Sequence, residues 1–119
     1  NMGHRIQGIC PDGWYLPSDE DYEELNIYPT SDLRSTNYWI NVGSQVNTNS
    51  TGFNSLPGGR YSCANGRYED IMGNSYYWTC YPVYDMATGA MIDYVCEKIV
   101  INNNPRCNGY SIRCVYDEH

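Results

Sequence analysis

Basic residues are scarce in this 119-residue sequence, which has 7 Lys and Arg against 14 Asp and Glu and a formal net charge of −7. Nucleic acid is therefore not an expected partner, because phosphate contacts need clustered Lys and Arg. The chain also lacks an apolar run long enough to cross a bilayer. We accordingly expect no membrane insertion.

Histidine is nearly absent too, with only His4 and His119, one near each end. A Ser-His-Asp or Cys-His arrangement would have no base in the interior, so we expect no catalytic residues and no enzymatic activity. The six cysteines form no C-x-x-C motif and do not alternate with histidine as zinc ligands do. We expect no metal site and no cofactor.

Aliphatic side chains are few, whereas the chain has 13 Tyr, 3 Trp and 11 Gly. A core that depends on Tyr and Trp, joined by many glycine turns, favours short strands and loops over helices. The length allows one domain over residues 1–119, of which residues 1–5 are expected to be in part vector-derived. These observations predict a loop-rich α+β fold.

One helix is predicted after Pro17, with Ser18 as N-cap, an acidic first turn and an end before Pro29. Antiparallel strands are predicted over residues 60–62, 76–83, 92–101 and 109–116. Hairpin turns are predicted at residues 85–89 and 102–105. Phe53 and Leu56, between glycine and proline turns, are expected to be buried.

Three stretches in a fixed order carry a more specific signal. Residues 10–17 read C-P-D-G-W-Y-L-P, residues 52–59 read G-F-N-S-L-P-G-G, and residues 109–115 read G-Y-S-I-R-C-V, with Tyr77-Trp78-Thr79 between the last two. Together they resemble the Fibrobacter succinogenes major paralogous domain, over Ile6 to Val115. The resemblance implies a C-type-lectin-like fold, related to the fold of formylglycine-generating enzymes, and no particular ligand.

An even number of cysteines in a small, loop-rich domain predicts disulfides and an oxidising compartment, hence an extracellular or cell-surface location. The resemblance to C-type lectins implies the pairs Cys10–Cys114 and Cys96–Cys107, which leaves Cys63–Cys80. An alternative remains open, in which Cys80 faces Cys96 across the predicted hairpin at residues 85–89 and Cys63 pairs with Cys107.

Tyrosine and asparagine are abundant in the second half of the chain, as they are in antibody-type binding surfaces. We treat four aromatic residues as core: Tyr76, Trp78, Tyr94 and Tyr110. We predict a single ligand-binding surface from the residues near turns: Tyr81, Tyr84, Asn102, Asn103, Asn104 and Arg106.

The sequence therefore predicts a non-enzymatic ligand-binding or adhesion module of a bacterial surface or secreted protein, whose partner is an unidentified protein or glycan. One alternative is a structural subunit, as in a pilus or a repeat array, that binds its own neighbours. Another is a calcium-dependent lectin, since residues 102–104 lie where sugar-binding lectins carry Trp-Asn-Asp. The chain lacks that tripeptide and the other calcium-binding ones.

Overall fold

The structure, a computed structural model, describes residues 6–40, 46–83 and 85–116. The described elements follow in chain order: β1 (Trp14–Tyr15), α1 (Asp19–Leu25), a 3-10 helix (Thr30–Asp32), β2 (Arg60–Ser62), β3 (Arg67–Glu69), β4 (Asn74–Val83), β5 (Met86–Asp93), β6 (Val100–Pro105) and β7 (Val115–Tyr116). The strands form the antiparallel sheets β1-β7, β2-β3 and β4-β5-β6. The prediction of an α+β fold with a helix and small antiparallel sheets is confirmed.

Helix α1 begins where the sequence predicts. The Ser18 hydroxyl accepts a hydrogen bond from the Asp21 backbone N–H at 3.1 Å, and the Asp21 carboxylate accepts one from the Ser18 N–H at 2.9 Å. This reciprocal capping box satisfies two of the free N–H groups at the helix start. The helix then buries Tyr22 against the central sheet, so the cap fixes where the helix sits.

The central sheet β4-β5-β6 corrects both predicted turns. Strand β4 pairs with β5 from Asn74 opposite Asp93 to Val83 opposite Met86, with an irregularity between Trp78 and Pro82. Residues 86–89 therefore belong to a strand, and the turn is shorter than predicted. Residues 102–105 also lie in a strand, because β6 pairs with β5 along its whole length. The hydrogen bonds of a complete ladder outweigh the turn preference of Asn and Pro here.

The predicted last strand is mostly replaced by isolated pairing. Gly109 pairs antiparallel with Tyr61, and Ser111 pairs parallel with Tyr77, so residues 109–111 lie between β2 and β4. Only Val115–Tyr116 form a strand, which pairs with β1 and joins the two ends of the described chain. Residues 109–111, which belong to the last stretch that carries the family resemblance, therefore connect the small sheet β2-β3 to the central sheet.

The core lies between α1, the central sheet and the loop that contains Leu33 and Trp39. Its buried residues come from all three: Tyr22, Leu33, Trp39, Tyr77, Ala90, Ile92 and Ile99. Phe53 packs against this cluster but is only half-buried, so its predicted burial is confirmed in part. Leu56 is 52% exposed, so its predicted burial is wrong; Ser55 takes the inward position because its hydroxyl bonds to Ser75 and Tyr77.

A buried arginine ties the loop to the sheet. Arg34 is 1% exposed and donates to the Thr30 hydroxyl and the Asp93 carbonyl, both at 2.7 Å, and to the Asn47 side-chain oxygen at 2.7 Å. Burial lowers the pKa of Arg34 from its usual value, and the Asp93 charge opposes that effect. Sequence reasoning missed this network, because arginine is seldom buried unless it is fully hydrogen-bonded.

Two stacked tyrosines provide a matched test of buried hydroxyls. The rings of Tyr22 and Tyr77 are 5.8 Å apart, but the Tyr77 hydroxyl bonds to Ser55 at 2.8 Å, whereas the Tyr22 hydroxyl has no partner among the described residues. In urea unfolding, Tyr77→Phe is expected to cost about 1–2 kcal/mol, and Tyr22→Phe is expected to be neutral or stabilising. Equal losses for the two variants would mean that the Tyr22 hydroxyl is bonded after all.

The structure contains two disulfides, Cys10–Cys114 and Cys63–Cys107, with Cα atoms 6.0 and 5.7 Å apart. The first is the pair that the resemblance implied, and it is confirmed. The second follows from the register: because Tyr61 pairs antiparallel with Gly109, the residue two positions after Tyr61 faces the residue two positions before Gly109. Those residues are Cys63 and Cys107.

The pairs Cys96–Cys107 and Cys63–Cys80 are therefore wrong. Cys96 comes shortly after Asp93, which pairs with Asn74 at one end of the central sheet. Cys107 comes shortly after Pro105, which pairs with Met86 at the other end of that sheet. The alternative pattern is right for Cys63–Cys107 and wrong for Cys80–Cys96. Six residues of β4 separate Cys80 from the ladder end near Cys96, or about 20 Å. Both thiols are free in the structure.

The two free thiols differ from the reactive kind. Burial raises the pKa of the Cys80 thiol, and the hydrogen bond to Asp93 raises that of Cys96. Since the thiolate is the reactive form, both shifts lower reactivity. The two disulfides are typical of folding in an oxidising environment. No helix in the described ranges is both long and apolar enough to cross a membrane.

Candidate functional site: an aromatic face beside a tyrosine-lined hollow

Tyr81, a predicted site residue, lies on β4 and is 41% exposed. Its hydroxyl donates to the Glu20 carboxylate of α1 at 3.2 Å. This hydrogen bond raises the pKa of Tyr81 and helps to lower that of Glu20. Tyr81 therefore belongs to the helix side of the sheet. Tyr84, its predicted companion, lies outside the described residues.

The asparagine triplet lies on edge strand β6 and not on a turn. Asn102 and Asn103 are exposed, whereas Asn104 is buried. The Asn104 amide donates to the Asn102 carbonyl at 3.0 Å, and its oxygen accepts from the Tyr110 hydroxyl at 2.7 Å. Asn104 thus orients an aromatic ring, so its predicted role as an exposed hydrogen-bonding residue at the edge of the surface is wrong.

Arg106 is exposed and donates from Nε to the Met86 carbonyl at 3.0 Å. It borders a shallow hollow of about 450 Å³ with Asp85, Met86, Pro105 and Cys107. The structure therefore brings Arg106 to the β4–β5 turn, as the predicted surface required.

The predicted residues do not share one face of the sheet. Tyr81 and Thr88 contact α1, through Glu20 and Asp19 respectively. A Cβ on the next residue, Gly89, would lie 2.9 Å from both Asn104 and the Tyr110 ring. Successive residues of a strand point to opposite faces. Asn104 and Tyr110 consequently lie on the face away from the helix.

That face carries the aromatic stack, which we define as Tyr76, Trp78 and Tyr110. The Tyr110 ring centroid lies 4.3 Å from that of Trp78 and 5.0 Å from that of Tyr76. Trp78 and Tyr110 are half-buried and only Tyr76 is buried, so treating all of them as core is only partly right. The fourth, Tyr94, is half-buried and packs on the core.

Arg60 extends the stack toward the small sheet. Its guanidinium carbon lies 5.0 Å from the Tyr76 ring centroid, and Nη2 pairs with Glu69 at 3.2 Å. The Arg60 Nε atom is shielded from solvent and has no hydrogen-bond partner among the described residues. Burial, with the hydrogen bond to Asp70, raises the pKa of Tyr76 to about 12, so that hydroxyl stays neutral at physiological pH.

Beside Arg60 lies a depression of about 260 Å³, which we call the tyrosine hollow. Its lining combines small backbone positions with three tyrosine rings and one arginine: Gly58, Gly59, Arg60, Tyr61, Tyr68, Gly109, Tyr110 and Ser111. The Tyr61 and Tyr68 rings meet edge to face at 5.2 Å across the β2–β3 pair. Tyr68 is 73% exposed, which leaves much of its ring available to a partner.

Sequence reasoning missed Tyr61 and Tyr68 in this role. The available signal was Asn65-Gly66, a strong hairpin dipeptide, between two short tyrosine-containing runs. It predicts that Tyr61 and Tyr68 face each other across the hairpin, as they do. What the sequence alone does not indicate is that residues 109–111 pair alongside β2 and add Tyr110 to the same hollow.

The neighbouring glycines Gly58 and Gly59 are expected to differ in how well they tolerate substitution by alanine. Gly59 has a φ of +70°, and an added Cβ would overlap the Glu69 carbonyl oxygen and lie 2.9 Å from the Ile71 nitrogen. Gly59→Ala should therefore cost about 3 kcal/mol in chemical unfolding, combining left-handed strain with a backbone clash. Gly58→Ala, with open space around its Cβ, should cost less than about 1 kcal/mol. Similar losses for both would contradict this geometry.

The family assignment rests on a match over nearly the whole chain. The model of the Fibrobacter succinogenes major domain matches residues 3–116. The chain belongs to this family. No curated protein and no solved structure matches it.

In this Fibrobacter succinogenes major domain, two of the stretches that carried the resemblance line the hollow. Gly58 and Gly59 come from the G-F-N-S-L-P-G-G stretch, and residues 109–111 come from the ending. Among the described residues, no group of three or more His, Cys, Asp or Glu is arranged to hold a metal ion. The hollow instead offers ring faces, backbone groups and one arginine.

Proposed function

We propose that this domain is a non-enzymatic ligand-binding or adhesion module of a bacterial surface or secreted protein, with a C-type-lectin-like fold. The observation that carries the proposal is the tyrosine hollow, which three tyrosines, three glycines and Arg60 line together with Ser111. Tyrosine gives a rigid, amphipathic contact area at low entropic cost, and tyrosine and arginine are enriched among residues that dominate binding energy.

The chemistry of the hollow fits a glycan or a protein segment. A partner can stack on the exposed Tyr68 ring and contact the backbone of Gly58 and Gly109. The Arg60 guanidinium, whose side chain is 28% exposed, can donate to a partner oxygen. The Arg60–Glu69 ion pair holds this guanidinium in place, so little side-chain entropy is lost on binding.

Several features support a non-enzymatic role. Hydrogen bonds from Asn65 and Arg60 lower the pKa of Glu69, the carboxylate that pairs with Arg60, and the pKa of Tyr76 is raised to about 12. Neither group titrates near neutral pH, where a general acid or base works best. The two disulfides support export to an oxidising environment outside the cell.

The experiment is an array of glycans and proteins probed with the purified domain and with Tyr68→Ala. The matched control is Tyr38→Ala, because Tyr38 is 70% exposed and lies outside the hollow. Binding that Tyr68→Ala weakens and Tyr38→Ala retains supports the proposal. Ligands bound equally well by both variants would contradict it.

A second candidate function is a structural module that binds copies of itself, which edge strand β6 favours. The sheet order leaves β6 with one unpaired side in the described structure, a position to which another strand can add. However, Pro105 and the Asn104 bond to the Asn102 carbonyl reduce the pairing groups on this strand. Concentration-dependent oligomers in analytical ultracentrifugation that Asn103→Pro abolishes would favour the structural function over ligand binding.

A further inference from the structure

A second concave site lies on the helix side of the molecule. The helix-side cleft, between α1 and the segment that ends in β7, has a volume of about 350 Å³. It is walled mainly by apolar groups with a few charged ones, among them Asp21, Tyr22, Leu25, Phe53, Arg113 and Val115. A cleft of this size and character is within the range of small-molecule sites.

The wall of the cleft contains an unsatisfied polar group. Tyr22 is 3% exposed, and its hydroxyl is shielded from solvent and bonded to nothing in the described residues. A buried hydroxyl without a partner is uncommon and costs free energy, so it calls for a specific explanation. The neighbouring Tyr77 hydroxyl is bonded to Ser55, which shows that a tyrosine in this core can be satisfied.

Arg113 supplies a second donor to the lining of the same cleft. Its guanidinium carbon lies 4.2 Å from the Phe53 ring centroid, and no described carboxylate forms an ion pair with it. Burial raises the pKa of Tyr22 far above its ordinary value, while the nearby Arg113 charge acts in the opposite direction. Two residues of the cleft lining therefore carry donors, Tyr22 on a hydroxyl and Arg113 on a guanidinium.

The charges of the lining indicate the class of ligand. Asp21 and Glu24 contribute two carboxylates to the lining, and Arg113 contributes one guanidinium. A ligand with a full charge of either sign therefore meets a like charge in the cleft. Leu25, Phe53 and Val115 offer apolar contact to a ring. An uncharged ring with one acceptor oxygen avoids repulsion of either sign and can pack against these apolar side chains.

We infer that the helix-side cleft binds a small uncharged ring compound whose carbonyl or hydroxyl oxygen accepts hydrogen bonds from Tyr22 and Arg113. The ring packs against Leu25, Phe53 and Val115. The Tyr22 hydroxyl is shielded, so the ligand oxygen must displace the side-chain atoms that cover this hydroxyl. Water does not compete for the resulting hydrogen bond. This site is independent of the proposed function, because the tyrosine hollow shares no lining residue with it.

The test is a titration of the isotope-labelled domain with benzamide, followed by backbone amide shifts in NMR. A fragment of this size is expected to bind with a Kd on the order of 1 mM. The shifts should centre on Leu25, Phe53 and Val115. Benzoate and benzylamine, which present the same ring with a negative or a positive charge, should bind more weakly.

Tyr22→Phe removes the hydroxyl alone and should weaken benzamide binding about fivefold to tenfold. Arg113→Lys, which keeps the charge and loses the planar guanidinium, should weaken it as well. Tyr68→Phe, in the tyrosine hollow, should leave the Kd unchanged. No binding, shifts confined to the hollow, unchanged affinity in Tyr22→Phe, or tighter binding of either charged compound would overturn the inference.

Discussion

Replacing Cys10 and Cys114 together by alanine is expected to lower the free energy of unfolding by about 4–5 kcal/mol. This disulfide joins residues separated by 104 positions, nearly the whole chain, and so removes much of the entropy of the unfolded state. A domain with few aliphatic residues has a net stability of roughly 5–15 kcal/mol, so the loss is a large share of it. Urea unfolding under non-reducing conditions measures it.

The controls are the other four cysteines. Cys63→Ala with Cys107→Ala opens a loop with a separation of 44 and should cost slightly less, about 4 kcal/mol. Cys96→Ala removes an exposed thiol and should change stability by less than about 0.5 kcal/mol. If Cys96→Ala proved as harmful as opening a disulfide, the pairing described here would be incorrect.

Replacing Arg34 by methionine is expected to cost about 3 kcal/mol. The substitution keeps the length of the side chain but leaves the Thr30 hydroxyl, the Asp93 carbonyl and the Asn47 amide oxygen without their shared donor. Each buried polar group left unsatisfied costs about 1–3 kcal/mol, partly offset by burying a neutral side chain. Thermal or urea unfolding provides the measurement.

Arg67→Met is the matched control, because the Arg67 side chain is 73% exposed and forms only a surface ion pair with Glu69. It should cost less than about 1 kcal/mol. Arg34→Lys should fall between the two, since lysine restores the charge without the planar set of donors. A loss for Arg34→Met no larger than that for Arg67→Met would show that the buried network contributes nothing to stability.

The parts of the fold that the sequence predicts are those encoded by neighbouring residues. Ser18 and Asp21 lie three positions apart and form the capping box with no help from the rest of the chain. The short strand at residues 60–62 follows a glycine turn and is found as predicted. The resemblance to the family was also carried by short, local motifs, and the family model matches residues 3–116.

The sequence does not indicate the pairing register between segments that lie apart in the chain. The pairing of Tyr61 with Gly109 decides that Cys63 meets Cys107, and neither residue's neighbours indicate it. The asparagine triplet has the composition of a turn, yet it completes a sheet because β5 supplies a full ladder of partners. These are interactions between segments far apart in the chain, which outweigh local preference.

Composition indicated which residue type the structure would bring together, but not where. Tyrosine is abundant in the sequence, and three tyrosines line the hollow. The residues of the predicted surface are divided between two faces, because Tyr81 contacts the helix and Asn104 lies on the opposite face. Tyr81 lies within the irregular stretch between Trp78 and Pro82, and no sequence pattern located that irregularity.

The most direct measurement of the central claim is the affinity of an array-selected ligand for Tyr68→Ala and Tyr81→Ala, determined by calorimetry. Tyr68 represents the tyrosine hollow, and Tyr81 represents the helix side of the sheet. We predict that Tyr68→Ala raises the Kd about tenfold or more, whereas Tyr81→Ala changes it less than about threefold. Loss of affinity in Tyr81→Ala with wild-type affinity in Tyr68→Ala would contradict the assignment of the hollow as the binding site.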